Sequence, residues 1–130
     1  MSRYSESRES FMPLIRALSD AWQGFERYAA RDIRGTGLSA PQFDVLCTLG
    51  STDGFTFTQL GERTLIYKTT LTGVVDRMEQ KGLVERRPCE RDRRCVYVRL
   101  TAAGEALFGE VFPAHVSHLG ERLSDLSDDE

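Results

Sequence analysis

The 130-residue sequence predicts a mainly α-helical chain carrying one small β-hairpin, and three observations support this. Before residue 35 and after residue 100, apolar side chains recur at spacings of three and four, the period of an amphipathic helix. Between them lie shorter helical stretches bounded by capping patterns and glycines. From residue 83 to 100 the period drops to two, as in paired strands.

The first long helix is read from Phe11, Leu14, Ile15, Leu18, Trp22 and Phe25, running to about Arg34 and ending at Gly35-Thr36-Gly37. Ser39 with Gln42 three residues later is a capping box, and Pro41 sits in the first turn, where its missing N–H is harmless. The helix that follows reaches about Leu49 and treats Cys47 as core filler. Ser51 to Gly54 form a turn, and Thr56 caps a short helix ending near Thr64. Another helix spans about Lys68 to Gln80, buries Leu71, Val74, Val75 and Met78, and stops at Lys81-Gly82. Two short helices joined by a tight turn make a helix-turn-helix candidate.

Leu83 to Pro88 and Val96 to Leu100 pair around a tip at Glu90 to Arg94. A turn centred on Asp92 sets Glu85 opposite Arg99 and Arg87 opposite Tyr97. Thr101 caps a last long helix with the stripe Leu107, Val111, Val116, Leu119, Leu123 and Leu126, which Pro113 should kink. Ser127 and Glu130 form another capping-box pattern, announcing a further helix and suggesting a truncated chain. The elements together spell a winged helix-turn-helix between two long terminal helices.

The net charge of −3 hides an uneven distribution. Residues 63 to 99 hold ten basic and five acidic side chains, so that stretch is +5 while the remainder is −8. A solvated charged hairpin is one reading of this, and a polyanion-binding face the other. A helix of this size fits the major groove of DNA, and a basic hairpin reaches the adjoining minor groove. On the fourth helix the non-core positions Lys68, Thr69, Thr70, Thr72 and Gly73, with Arg77 further along, can meet phosphates or base edges. The plainer alternative has Thr69 and Thr70 merely capping the helix. Arg91, Asp92, Arg93 and Arg94 occupy the hairpin tip, where Asp92 can hold the Arg94 guanidinium extended.

The run TQLGERTLIYKTTLTGVVDRMEQKGLVERRPCERDRRCVYVRLTAAGE resembles the MarR family of bacterial regulators. The likeness rests on VDRMEQKGLVER at the end of the recognition helix, DRR in the wing and LTAAG opening the fifth helix. It implies a homodimer built from dimerisation helices at 10–34 and 101–130, with a DNA-binding lobe over 38–100 and its wing over 83–100. It further implies a recognition helix starting near Lys68, Asp92 with Arg94 as the wing's DNA contact, and repression relieved by a small phenolic ligand or an oxidant. Tyr67 stands where a Ser, Asp or Pro often begins that helix and can stack on the sugar-phosphate backbone. A dimer of this kind reads a roughly palindromic site with half-sites ~10 bp apart. The family's last helix would come after Glu130, and the sensing branch's N-terminal cysteine has no counterpart before Cys47.

A small aromatic effector would sit where the first and fifth helices meet the lobe, lined by Trp22, Phe25, Tyr28 and Phe43, although aromatics at helical spacing more often form plain core. Cys89 and Cys95 are equidistant from Asp92, so a regular hairpin lets them oxidise and distort the wing, but two ordinary surface thiols are the favoured reading. His115 and His118 lie three apart on the last helix and read as ordinary surface or interface histidines, with no metal site or cofactor expected. There is no glycine-rich phosphate loop, HExxH or nucleophile elbow, which argues against an enzyme. The rival is a winged helix used only for protein contact. No apolar run approaches the ~18–20 residues of a membrane span, and the expected location is the cytoplasm.

Overall fold

The computed structural model describes the backbone of residues 3–92 and 94–127, and side chains from Phe11 onward within those ranges. Five helices and three strands follow one another as α1 (Arg3–Arg34), α2 (Ala40–Leu49), β1 (Phe55–Thr56), α3 (Phe57–Arg63), α4 (Lys68–Gln80), β2 (Val84–Pro88), β3 (Val96–Leu100) and α5 (Ala102–Leu123). The strands form one antiparallel sheet in the order β1-β3-β2.

Local chemistry accounts for most of these boundaries. The Ser39 hydroxyl accepts the Gln42 N–H while the Gln42 carboxamide accepts the Ser39 N–H, closing the expected box at the start of α2. Thr56 and Gln59 build the same box on α3. Tyr67 begins α4 without a side-chain cap, so Thr69 and Thr70 lie inside the first turn and do not cap it. Gly82, at φ +75°, takes the left-handed position that ends α4. Thr101 accepts the Gly104 N–H and donates its hydroxyl to the Gly82 carbonyl, tying the start of α5 to the end of α4.

The hairpin register agrees with the sequence, pairing Glu85 with Arg99 and Arg87 with Tyr97. Two elements differ from expectation. β1 pairs Phe55 with Val98 and Thr56 with Tyr97, a strand of two residues with no alternation to announce it. α1 starts at Arg3, about two turns before Phe11, the first apolar position of the expected stripe, and carries Pro13 inside it. Apolar period places only the buried part of a helix; the polar Arg, Glu and Ser residues ahead of Phe11 extend it by intrinsic propensity. The helical assignment of α5 runs unbroken through Pro113, and the Ser127–Glu130 capping pattern ends outside the described residues.

The core lies within the lobe formed by α2, α3, α4 and the sheet. Leu46, Leu49, Leu60, Leu71, Val75, Met78, Val84 and Val98 are fully buried there, each contributing about 1.5–3 kcal/mol by leaving water. Cys47 packs against this cluster, as the sequence suggests. A Cβ on Gly104 would lie 2.1 Å from the Leu83 carbonyl oxygen, so only glycine lets α5 cross this close to the sheet.

Candidate nucleic-acid interface

The start of α4 stands clear of the core because Leu71, Val74, Val75 and Met78 take the inward face. Lys68, Thr69, Thr70, Thr72 and Arg77 are left exposed, and Gly73 is half-buried. The turn before them is fixed from behind, since the Asp44 carboxylate accepts the Leu65 N–H at 3.1 Å. It projects Leu65 and Tyr67, which are 79% and 84% exposed, beside the start of α4. Leu65 is a candidate contact that charge and hydroxyl counting overlooks, because apolar side chains in a turn pass for core; exposure is what picks it out.

The wing is built on a ladder of ion pairs. Arg86 of β2 donates to Asp76 and to Glu79 of α4, the latter at 2.8 Å, while its guanidinium lies over the Phe57 ring. Hydrogen bonding to Asp76, ahead of the coulombic contributions, pushes the Arg86 guanidinium up from its ordinary value. Across the hairpin Arg99 donates to Glu85 and holds that carboxyl below the usual carboxylate range, with Arg87 adding to the effect. Three acidic side chains in the basic stretch are thereby matched internally. Among the described residues no ion pair engages Lys68, Arg77, Arg91 or Arg94, so the unmatched positive charge gathers on α4 and at the wing tip.

At that tip Arg91, Asp92 and Arg94 are exposed, and Arg93 lies outside the described residues. Asp92 does not clamp the Arg94 guanidinium; its Oδ1 accepts the Arg94 backbone N–H at 3.0 Å. A short side chain at the apex of a tight turn reaches a main-chain N–H two residues on more readily than the end of a long arginine. Cys89 and Cys95, favoured as free thiols on the sequence, are joined in a disulfide directly behind the tip.

The expected effector residues divide. Phe25 and Tyr28 line an open groove of about 430 Å³ between α1 and α5, together with Arg27, Arg31 and Arg122. Trp22 lies outside the groove lining, half-exposed with its ring 5.7 Å from that of Phe25, and Phe43 is buried in the core. Phe43 instead packs edge-on against His115, whose Nδ1 lies 2.8 Å from the Asp32 carboxylate. His118 stacks on Tyr28 and hydrogen-bonds its carbonyl, while the Tyr28 hydroxyl donates to the His118 carbonyl at 2.7 Å. Both histidines thus lock α5 onto α1. Among the described residues no three His, Cys, Asp or Glu side chains are grouped to hold a metal ion, and no helix is long and apolar enough to cross a membrane.

The fold recurs in known proteins. Residues 38–96 match the model of the MarR family. The transcriptional regulator MhqR of Bacillus subtilis is 31% identical over 94% of this chain and 84% of its own length. The crystal structure of Sco3205, a MarR family regulator of Streptomyces coelicolor in complex with DNA, superposes with a TM-score of 0.82 at 24% identity, covering 91% of this chain and 77% of that one. NadR in complex with 4-hydroxyphenylacetate superposes with a TM-score of 0.77 at 24% identity, covering 87% and 80%. With a winged helix-turn-helix lobe, a basic wing and similarity to MhqR along most of its length, the chain belongs to the MarR family of transcriptional regulators.

Proposed function

We propose that this chain is a sequence-specific, double-stranded DNA-binding regulator that represses transcription as a homodimer and releases its operator on binding a small aromatic anion. The observation that carries this reading is the surface formed by the start of α4 and the wing tip. Hydroxyls from Thr69, Thr70 and Thr72 stand beside Lys68 and Arg77, with Arg91 and Arg94 unmatched by any described acid. Threonines read base edges or thymine methyls in the major groove, Lys68 and Arg77 hold phosphates, and Tyr67 and Leu65 pack on the backbone or methyl groups. The wing places Arg91, Asp92, Arg93 and Arg94 in the minor groove.

The homodimer is supported by apolar surface that a single copy leaves in water. Phe11, Leu14, Ile15, Leu18 and Trp22 on α1 are exposed, as are Phe112, Val116 and Leu123 on α5 and Leu126 after it. In this reading 10–34 and 101–130 dimerise, 38–100 is the DNA-binding lobe, and two α4 helices enter successive major grooves of a palindrome about 10 bp apart, centre to centre. The groove between α1 and α5 suits an aromatic carboxylate, with Arg27, Arg31 and Arg122 for the anion and Phe25 and Tyr28 for the ring. NadR, which binds 4-hydroxyphenylacetate, lends support to that ligand class. Such a regulator is not an enzyme, needs no cofactor and works in the cytoplasm.

Selection of binding sites from random duplex DNA tests the reading, followed by titration of the enriched duplex at several salt concentrations. A palindrome whose binding falls steeply with salt, by counterion release, is the expected result. No enrichment, with capture of a protein partner instead, would replace it with a winged helix devoted to protein contact.

A further inference from the structure

Cys89 directly follows Pro88 and Cys95 directly precedes Val96, the last paired residues of the wing. Their Cα atoms are 5.3 Å apart, and the Cys89 N–H donates to the Cys95 carbonyl at 3.0 Å. The ladder itself brings the two side chains together, so the bond between them can open or close without unpairing the sheet. Beyond it, among the described residues, two hydrogen bonds hold the tip: the Cys95 N–H donates to the Asp92 carbonyl and the Arg94 N–H to the Asp92 carboxylate. Both cysteines are half-exposed, within reach of small oxidants and reductants. Cys47 does not compete, because burial and then Asp44 push its thiol up to about 11, leaving little thiolate near neutral pH.

We propose that Cys89 and Cys95 form a reversible redox modification site that sets DNA affinity, the closed disulfide holding the wing tip in its binding shape and the open dithiol releasing it. The proposal rests on the DNA-binding reading above. A regulator at the chromosome works where thiols are kept reduced, so the bond forms when a peroxide or a disulfide oxidant is present. With hydrogen peroxide the two thiols give up two protons and two electrons, one S–S bond forms, the O–O bond breaks and two waters leave. With a small disulfide, two exchange steps leave two free thiols on the oxidant. A preformed tip loses less conformational freedom on entering a groove, so the oxidised chain binds more tightly.

The test treats the full chain with hydrogen peroxide or with dithiothreitol and titrates each form against the fluorescein-labelled duplex enriched by selection. Alkylation and mass spectrometry follow the wing peptide in parallel. After peroxide that peptide should be lighter by two hydrogens, and reduction should weaken binding about tenfold. The Cys89→Ser, Cys95→Ser double variant should bind like the reduced chain under both conditions, and Cys47→Ser should respond like the parent. In an Arg94→Ala background the redox effect should shrink below about twofold, because the clasp acts through the tip. An unchanged peptide mass after peroxide, equal affinity of the two forms, or a redox response surviving in the double variant would each overturn the clasp while leaving DNA binding standing. A chain that forms the bond yet enriches no duplex in either state would overturn the DNA-binding reading, and the clasp's effect with it.

Discussion

The lobe formed by α2, α3, α4 and the sheet buries most of its apolar side chains, whereas the α1–α5 pair leaves most of its own in water. Leu46, Leu60, Leu71 and Val75 are at most 1% exposed, while Leu14 and Leu18 of α1 are both 62% exposed. Both regions have regular apolar periodicity, so the pattern alone does not reveal which partner covers a stripe. In the lobe that partner is another element of the same chain. On α1 and α5 the histidine and tyrosine clasps join the helices along one side and leave the apolar stripe facing outward. A fold can thus be complete in its lobe, the proposed reading head, while its frame, the two long helices, keeps apolar surface uncovered, which is the surface the proposed homodimer would bury.

The comparison breaks most sharply in the lobe core. Leu46→Ala should cost about 2–5 kcal/mol of stability, read by urea unfolding, because the cavity opens where α2, α4 and the sheet converge. A cost below about 1 kcal/mol would mean that the lobe relaxes around the loss and is less self-sufficient than its burial implies. On the frame, the same chemistry has a different consequence. Leu18→Glu should leave unfolding of the lobe unchanged, convert dimer to monomer by sedimentation, and weaken binding to a two-half-site duplex about a hundredfold. If the variant stayed dimeric, the α1 stripe would have some other occupant.

The two regions also differ in how far sequence reaches. The wing's strand register was legible to the residue, since a period of two fixes which residues face each other once a turn centre is chosen, whereas the Asp92 contact and the Cys89–Cys95 bond at its tip were not. The capping box at Ser39 and the cap at Thr56 were legible because they are local chemistry over four residues, although the reciprocal Gln59 half of the Thr56 box emerges only in the structure. β1 was not, for a two-residue strand exists only because β3 offers it an edge. Nor were the frame's contacts: Asp32 and His115 lie 83 residues apart, and nothing in their local patterns announces the pair. Within the interface, residue type pointed to the threonines and the tip arginines, yet it missed Leu65 and the role of Arg86, which depend on tertiary placement. The groove candidates divide for the same reason: the expected meeting of the first and fifth helices with the lobe put Trp22, Phe25, Tyr28 and Phe43 among possible lining residues, but only packing leaves Trp22 outside the groove and sends Phe43 into the core.

Within the reading head the wing and the recognition helix should separate by what they lose. Arg94→Ala should weaken binding to most sequences by about tenfold and lower the salt slope by about one, if the proposed wing contact with the groove and phosphates is made by this side chain. Thr70→Ala should instead leave binding to random duplex unchanged and alter which base is preferred at one position in each half-site. A uniform loss from Thr70→Ala would assign that threonine to the phosphates. Arg86→Met, which unties β2 from Asp76 and Glu79, should have a smaller effect, within about 1 kcal/mol of stability, because the pairs are solvent-accessible.

The smallest effect concerns the hydrogen-bonded pair across the hairpin. Arg99 lowers the Glu85 pKa below its ordinary 4.5, so folding favours the ionised carboxylate. The pair's contribution is therefore fully present above about pH 4.5 and is lost as pH falls through the lowered value. Glu85→Gln should lower the thermal midpoint slightly and evenly at neutral and mildly acidic pH, and the gap to the parent should close as pH falls through the lowered Glu85 value. Other carboxylates titrate in both proteins, so the difference between the two curves isolates this one. A gap that persisted at low pH would mean that the introduced carboxamide disturbs the hairpin sterically and that the charge contributes nothing. A gap that closes would show that the wing draws part of its rigidity from pairs within its own strands, as the lobe does from its own core, without help from the frame.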